Sequence, residues 1–239
     1  MWPLESAVGE PLCVVVGAGP GNGAALGRRF ARAGRRVALL ARDVGRLESL
    51  AAEIPGSAAI GCDATDPDSI AQAFARIAAL GLVDTLIYNA GNYVLGSVRD
   101  TDPGVLETAF AINCTGCLRS VQHVLPAMIE RAAGAIVVIG ATASRRGAAH
   151  TLPFATAKAG QRIMAESMAR TLGPLGIHVA YVVIDGAIDT PVMRALLPTQ
   201  ADDFFLRADD IAEAVFQLTQ QARSAWSFEL DLRPYTEHW

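Results

Sequence analysis

Three groups of residues in this chain have types and spacings suited to chemistry. The first is the glycine cluster of "VVVGAGPGNGAALG", with Gly17, Gly19, Gly21 and Gly23 around Asn22. It closes a β-branched run and opens an amphipathic segment. Such a loop can turn sharply and admit a pyrophosphate against its backbone, where the N-terminus of the following helix offers unpaired N–H groups and a positive dipole end. The second is "FATAK", which places Lys158 four residues after the aromatic Phe154 at the start of a helix, so that both share one face. The third is Arg42, at the end of the second apolar run in "LLARD". A carboxylate at that place would accept a bond from a ribose 2′-OH, whereas an arginine suits a 2′-phosphate. Asp43, next along, is the competing ribose ligand.

Other groups are weaker. Cys114 and Cys117 form C-x-x-C, but no second cysteine pair or histidine spacing accompanies them, so with Cys13 and Cys62 they read as small buried thiols with no metal. His150 reads as an exposed loop residue and Tyr93 as part of a packed wall.

The elements that must position these groups alternate. Apolar strands at "LCVVVGAG", "RRVALLAR", "SAAIGCDAT", "VDTLIYNAG", "AIVVIGATAS" and "IHVAYVVIDGAIDT" are separated by helix-like segments that stop at glycine or proline. One long helix is expected over "DPGVLETAFAINCTGCLRSVQHVLPAMIERAAG", kinked at its proline. A last strand is expected in "WSFELDLRP". This order predicts an α/β fold, a Rossmann-type doubly wound parallel sheet of about seven strands with helices on both faces, as a single domain over 1–239. Ligands are then expected at the carboxyl ends of the strands.

With 239 residues, 51% apolar and 18% charged, a sizeable core can be buried. No apolar run approaches the ~18 residues of a membrane span, and "MWPLESAVGE" is no secretory signal, so a cytoplasmic location is expected. A net charge of −4 gives no reason to expect nucleic acid or anionic lipid as partner.

In register, these motifs resemble the short-chain dehydrogenase/reductase family over nearly the whole chain. Gly17, Gly21 and Gly23 match its G-x-x-x-G-x-G loop. Asp63 and Ala64 in "CDAT" resemble its adenine-contacting turn. Asn89, Ala90 and Gly91 match its N-N-A-G, with Tyr88 replacing the first Asn. Asn113 falls where the family keeps a catalytic Asn that holds a water. "IDGAIDT" resembles its P-G-x-x-x-T segment, with Asp185 for Pro and with Gly186, Ile188 and Thr190 expected along the nicotinamide. The resemblance implies NADP(H), with NAD possible, and a small-molecule substrate. It also implies a homodimer or homotetramer formed through two long helices, with Tyr235 and Trp239 packing on a neighbouring subunit.

The resemblance also exposes a gap. Family members deliver a proton from a Tyr four residues before the Lys and polarise the carbonyl with a Ser about thirteen residues before that Tyr. Those positions hold Phe154 and Ala141, leaving Asn113 and Lys158 as the retained catalytic residues. The pattern is similar to a subgroup in which G-A-T-A-S precedes F-x-x-x-K. Three functions fit. One is an oxidoreductase whose acid has moved to Tyr93 or His150, or whose polarising hydroxyl is now that of Thr142 or Ser144. Another is an oxidoreductase acting on a quinone or enone that needs no protein acid. The third is a cofactor-binding pseudoenzyme that senses or scaffolds. A lid of one short helix and a loop is expected after Thr190.

Overall fold

The computed structural model describes residues 11–237. Nine strands and eight α-helices alternate along this stretch: β1 (Leu12–Val16), α1 (Asn22–Arg32), β2 (Arg36–Ala41), α2 (Val44–Ala52), β3 (Ser57–Gly61), α3 (Pro67–Leu80), β4 (Val83–Tyr88), α4 (Pro103–Phe110), α5 (Gly116–Arg131), β5 (Gly134–Ile139), α6 (Leu152–Leu172), β6 (Ile177–Ile184), β7 (Ala187–Ile188), α7 (Pro191–Leu196), β8 (Phe205–Leu206), α8 (Ala208–Thr219) and β9 (Glu229–Leu232). Seven strands form one parallel sheet in the order β3-β2-β1-β4-β5-β6-β9. This is the expected Rossmann-type architecture.

The strands are apolar on both faces because both faces are covered. Leu12, Val14 and Val16 of β1 point into a core shared with Ile70 and Phe74 of α3, Val121 and Met128 of α5, and Ala165 of α6. Cys13 and Val15 point the other way, toward Leu26 and Phe30 of α1 and Ile211 and Val215 of α8. Each fully buried Leu, Ile or Phe contributes roughly 1.5–3 kcal/mol, so the alternation along a strand anchors helices to both faces. The chain leaves β1 toward β2 and β3, then crosses back to β4. The strand order therefore reverses between β1 and β4, where a crevice opens at the carboxyl ends.

Several boundaries differ from the sequence reading. The long helix expected over "DPGV…RAAG" is two α-helices joined by a π turn, Ala111–Thr115, and Pro126 lies inside α5 without ending it. The irregularity sits at the π turn because its carbonyls take side-chain donors from outside the helix. The Tyr88 hydroxyl donates to Ile112 O, and Gln161 Nε2 donates to Asn113 O at 2.8 Å. The sixth strand stops at Ile184 instead of running on to Thr190. Gly186 has φ +149°, and Ala187–Ile188 pairs instead with β8 in a separate two-stranded ladder. The last strand is shorter than expected and forms the sheet edge. The segment after Thr190 is short: the six-residue α7 and a loop lead to β8.

Candidate active site

The glycine loop is fixed from beneath. Gly17 has φ +88°, and a Cβ there would collide with the backbone of Ala90, so this position needs glycine. Asn89 Nδ2 donates to Gly17 O at 2.7 Å, tying the loop to the end of β4. Around Gly19 the space is open, and Gly21 faces the methyl of Thr190, which a Cβ would approach to 3.1 Å. Gly21 is the N-cap of helix α1, and no side chain caps the helix's first amides.

A cavity of 340 Å³ adjoins this loop. It is walled by Gly17, Gly19, Ala41, Arg42, Asp63 and Ala64, and it also touches Asn89, Ala90 and Gly91. Arg42 is exposed at its mouth. The Asp63 carboxyl accepts from Thr65 N at 2.8 Å and from Thr65 Oγ1 at 2.7 Å, and these bonds, with the charge of Arg42 a lesser cause, hold its pKa below the usual carboxylate value. Asp43, the competing ribose ligand, instead caps α2 by accepting from Arg46 N at 3.1 Å.

A second cavity, of 610 Å³, continues from the first through Asn89, Gly91 and Asn92. Its walls bring together Asn22, Ala141, Phe154, Lys158, Gly186, Ile188 and Thr190, which come from α1, α6, the end of β5 and the segment from the end of β6 through β7 to the start of α7. The positions picked out by counting along the sequence therefore meet in one groove.

Lys158 is 5% exposed, and burial pulls its pKa down to about 8. Its ammonium donates to Ile139 O and to Gln161 Oε1, each at 3.0 Å. A Cβ on Gly91 would lie 3.3 Å from Lys158 Nζ and 3.2 Å from Asn113 Oδ1, so both atoms border the same patch of floor. Asn113 is fully buried on the π turn, and its Nδ2 donates to Ala109 O at 2.9 Å and Asn92 Oδ1 at 3.0 Å. Its Oδ1, like that of Asn22, is buried without a partner among the described residues. Buried polar atoms ordinarily have partners. Two orphans beside one groove, with an uncapped helix N-terminus and open space at Gly19, fit a polar dinucleotide lying across the strand ends.

The two positions counted as acid and polarising hydroxyl carry no donor. Ala141 presents a methyl group, and the Phe154 ring meets Tyr93 edge-on, with centroids 5.3 Å apart at 79°. Of the alternative groups weighed from the sequence, Thr142 lines the cavity, but its hydroxyl donates to Asp185 Oδ1 at 2.6 Å. Ser144 is buried outside the lining and donates to Ala141 O at 2.7 Å. The side chain of His150 is exposed and not part of the cavity wall, because the loop turns it outward between Ala148 and Thr151. Tyr93 lines the cavity at 64% exposure, so it is a rim residue and not a packed wall.

Sequence reasoning missed Gln161, the Thr142–Asp185 pair and Asn92. Gln161 left one signal, a polar residue three positions after Lys158 on an inward helix face. The Thr142–Asp185 pair left none, since its partners come from two strand ends. The four cysteines are free thiols, with Cys13 and Cys117 fully buried. Tyr235 is exposed and donates to Asp203 Oδ2 at 2.9 Å, and Trp239 lies outside the described residues.

A parallel sheet with a glycine loop and a groove at its switch point is the frame of a dinucleotide-binding fold. The chain matches the short chain dehydrogenase family over residues 12–201 and belongs to that family. It is 34% identical to an inactive 2-(S)-hydroxypropyl-CoM dehydrogenase 2 of Xanthobacter autotrophicus, over 82% of this chain and 93% of that one. It is 35% identical to a D-xylose 1-dehydrogenase of Caulobacter vibrioides over 71% of this chain and 69% of that one. Among solved structures, a short-chain dehydrogenase from Rhodopseudomonas palustris superposes with a TM-score of 0.81 at 32% identity, covering 94% of this chain and 99% of its own. A metagenomic short-chain oxidoreductase in complex with NADP superposes at 0.83 with 28% identity, covering 97% and 100%. No helix among the described residues is long and apolar enough to cross a membrane.

Proposed function

We propose that this chain is a single-domain, NADP(H)-dependent oxidoreductase that transfers hydride without a side-chain proton donor. Its substrate is a small electron-poor carbonyl, enone or quinone-like molecule. The observation that carries this reading is the contrast within one groove: polar, orphan-bearing residues where the cofactor would lie, and Ala141 and Phe154 where the substrate oxygen would be. When bound, the nicotinamide supplies a hydride. Gly17, Gly19, Gly21, Asn22 and Gly23 hold the pyrophosphate, Asp63 and Ala64 border the adenine, and Arg42 faces the 2′-phosphate. Asn89, Ala90, Gly91 and Lys158 bind the ribose side, and Gly186, Ile188 and Thr190 orient the ring.

A Tyr acid contributes roughly 10²–10⁴-fold and one donor to the oxyanion about 10²–10³-fold. Without them an unactivated ketone reacts poorly. An acceptor whose electrons delocalise on reduction takes hydride readily and collects its proton from water. The exposed rim at Tyr93 and the short segment after Thr190 leave water a path. The aromatic edge of Phe154 and Tyr93 favours a flat, apolar acceptor.

A second reading, a cofactor-binding protein without turnover, is favoured by the same missing donors and by the similarity to a relative named inactive. Fluorescence titration with NADPH and NADH tests what both readings share. Saturable binding with NADPH the tighter ligand is expected. NADH binding tighter than NADPH would overturn the role of Arg42, and binding of neither would overturn the function.

A further inference from the structure

Gln161 is fully buried on α6, one turn after Lys158. Its amide spans two elements. Oε1 accepts from Lys158 Nζ at 3.0 Å, and Nε2 donates to Asn113 O, on the π turn, at 2.8 Å. These partners fix the amide in one sense: turned over, it would set an NH₂ group against an ammonium and a carbonyl against a carbonyl. An ammonium has three N–H donors. Ile139 O takes one and Gln161 Oε1 another. The third is left for the groove, where the floor at Gly91 lies beside both Nζ and the orphaned Asn113 Oδ1.

We propose that Gln161 is a positioning residue that keeps Lys158 charged and aims its remaining N–H at the cofactor groove. The proposal rests on the reading of Lys158 as a cofactor ligand. Desolvation already draws the Lys158 pKa down to about 8, so an acceptor fixed beside the ammonium decides how much of it is charged near neutral pH. The other titratable groups facing it are uncharged there. From the π turn and α5 these are Cys114, pushed up to about 11, and Cys117, pushed up further, both chiefly by burial. From β6 it is Tyr181, whose hydroxyl donates to Lys158 O at 3.3 Å and whose pKa is also raised chiefly by burial. Arg162, one turn after Lys158 on the same helix, pairs with Glu229 of β9 at 2.5 Å.

The test is the NADPH dissociation constant from pH 6.5 to 10 in the native protein, Gln161→Leu and Gln161→Glu, with Gln161→Met as a further variant filling the same space. Native binding should weaken as pH rises through about 8. Removing the acceptor in Gln161→Leu or Gln161→Met should move that midpoint down by about one pH unit, and Gln161→Glu should move it up. The affinity lost in Gln161→Leu, about fivefold near pH 8 and approaching tenfold toward pH 10 for a one-unit shift, should be largely regained at the acid end. Loss of affinity by the same factor at every pH, or an unmoved midpoint in the folded variants, would overturn the proposal. If the native protein binds no NADPH, the proposed function fails by itself. The pH dependence of the stability difference between Lys158 and Lys158→Met, with and without Gln161, then gives the same answer. Between the depressed folded pKa and the ordinary 10.5, the unfolded chain holds the extra proton, so the Lys158 protein gains stability on the Met variant as pH rises. The lower edge of that window should fall in Gln161→Leu, and an unmoved edge counts against the proposal.

Discussion

Phe154 and Ala141 stand where one would look for an acid and a carbonyl-polarising hydroxyl, and neither has a proton to give. Thr142, the nearest hydroxyl in sequence, is held by Asp185, so its lone pairs and not its proton are available to the cavity. The double variant Phe154→Tyr with Ala141→Ser therefore restores two donors in a groove that already holds Lys158. A rise of roughly 10²-fold or more in kcat/KM for simple ketones is expected. No rise in a folded double variant that still binds NADPH would show that the cavity does not place a carbonyl against these residues. The sequence was informative wherever a position follows the helix repeat or a fixed spacing: Phe154, Lys158 and Ala141 line the groove, and Asn113 is buried beneath its floor at Gly91. It was silent on contacts that join different strand ends. The Asp185 carboxylate reaches Thr142 only because β5 and β6 lie side by side.

The elements show how the groove keeps its frame. Tyr88 ends β4, and its buried hydroxyl reaches Ile112 O on the π turn. Strand and turn are thus tied by a phenol. Tyr88→Phe should cost about 1–3 kcal/mol, the usual loss when a buried carbonyl loses its partner. Chemical denaturation would measure it, and an unchanged midpoint would mean the tie carries no stability. The π turn itself was not legible, because Ala-Ile-Asn-Cys-Thr has no local feature that distinguishes it from an α-helical stretch. Pro126 pointed to the wrong place for the irregularity. The strands, by contrast, were legible in their number, order and starting residues, while their carboxyl ends stop short of the expected runs. A strand covered on both faces must be a continuous apolar run, and each such run ended where glycine or a polar turn began. Gly186 marks the largest departure: the sequence reading runs the strand across it to Thr190, yet β6 ends at Ile184 and, past the positive φ of Gly186, Ala187–Ile188 starts the small ladder with β8.

For the whole molecule, helices α5 and α6 lie over one face of the sheet and leave Leu118 and Ile163 exposed at 40% and 60%. We propose that this face joins copies of the chain. Ile163→Glu should then lower the mass measured by light scattering, and an unchanged mass would place any interface elsewhere. Seen entire, the protein retains a dinucleotide groove across its switch point, at one end of which the usual proton donors are absent. We propose that hydride still moves there. Loss of NADPH absorbance would be followed with the purified protein and a panel of quinones, activated enones and simple ketones. Turnover with quinones or enones, and little or none with simple ketones, is the expected result. Rapid reduction of simple ketones would contradict the absence of a protein acid, and tight NADPH binding with no oxidation by any acceptor would contradict hydride transfer itself.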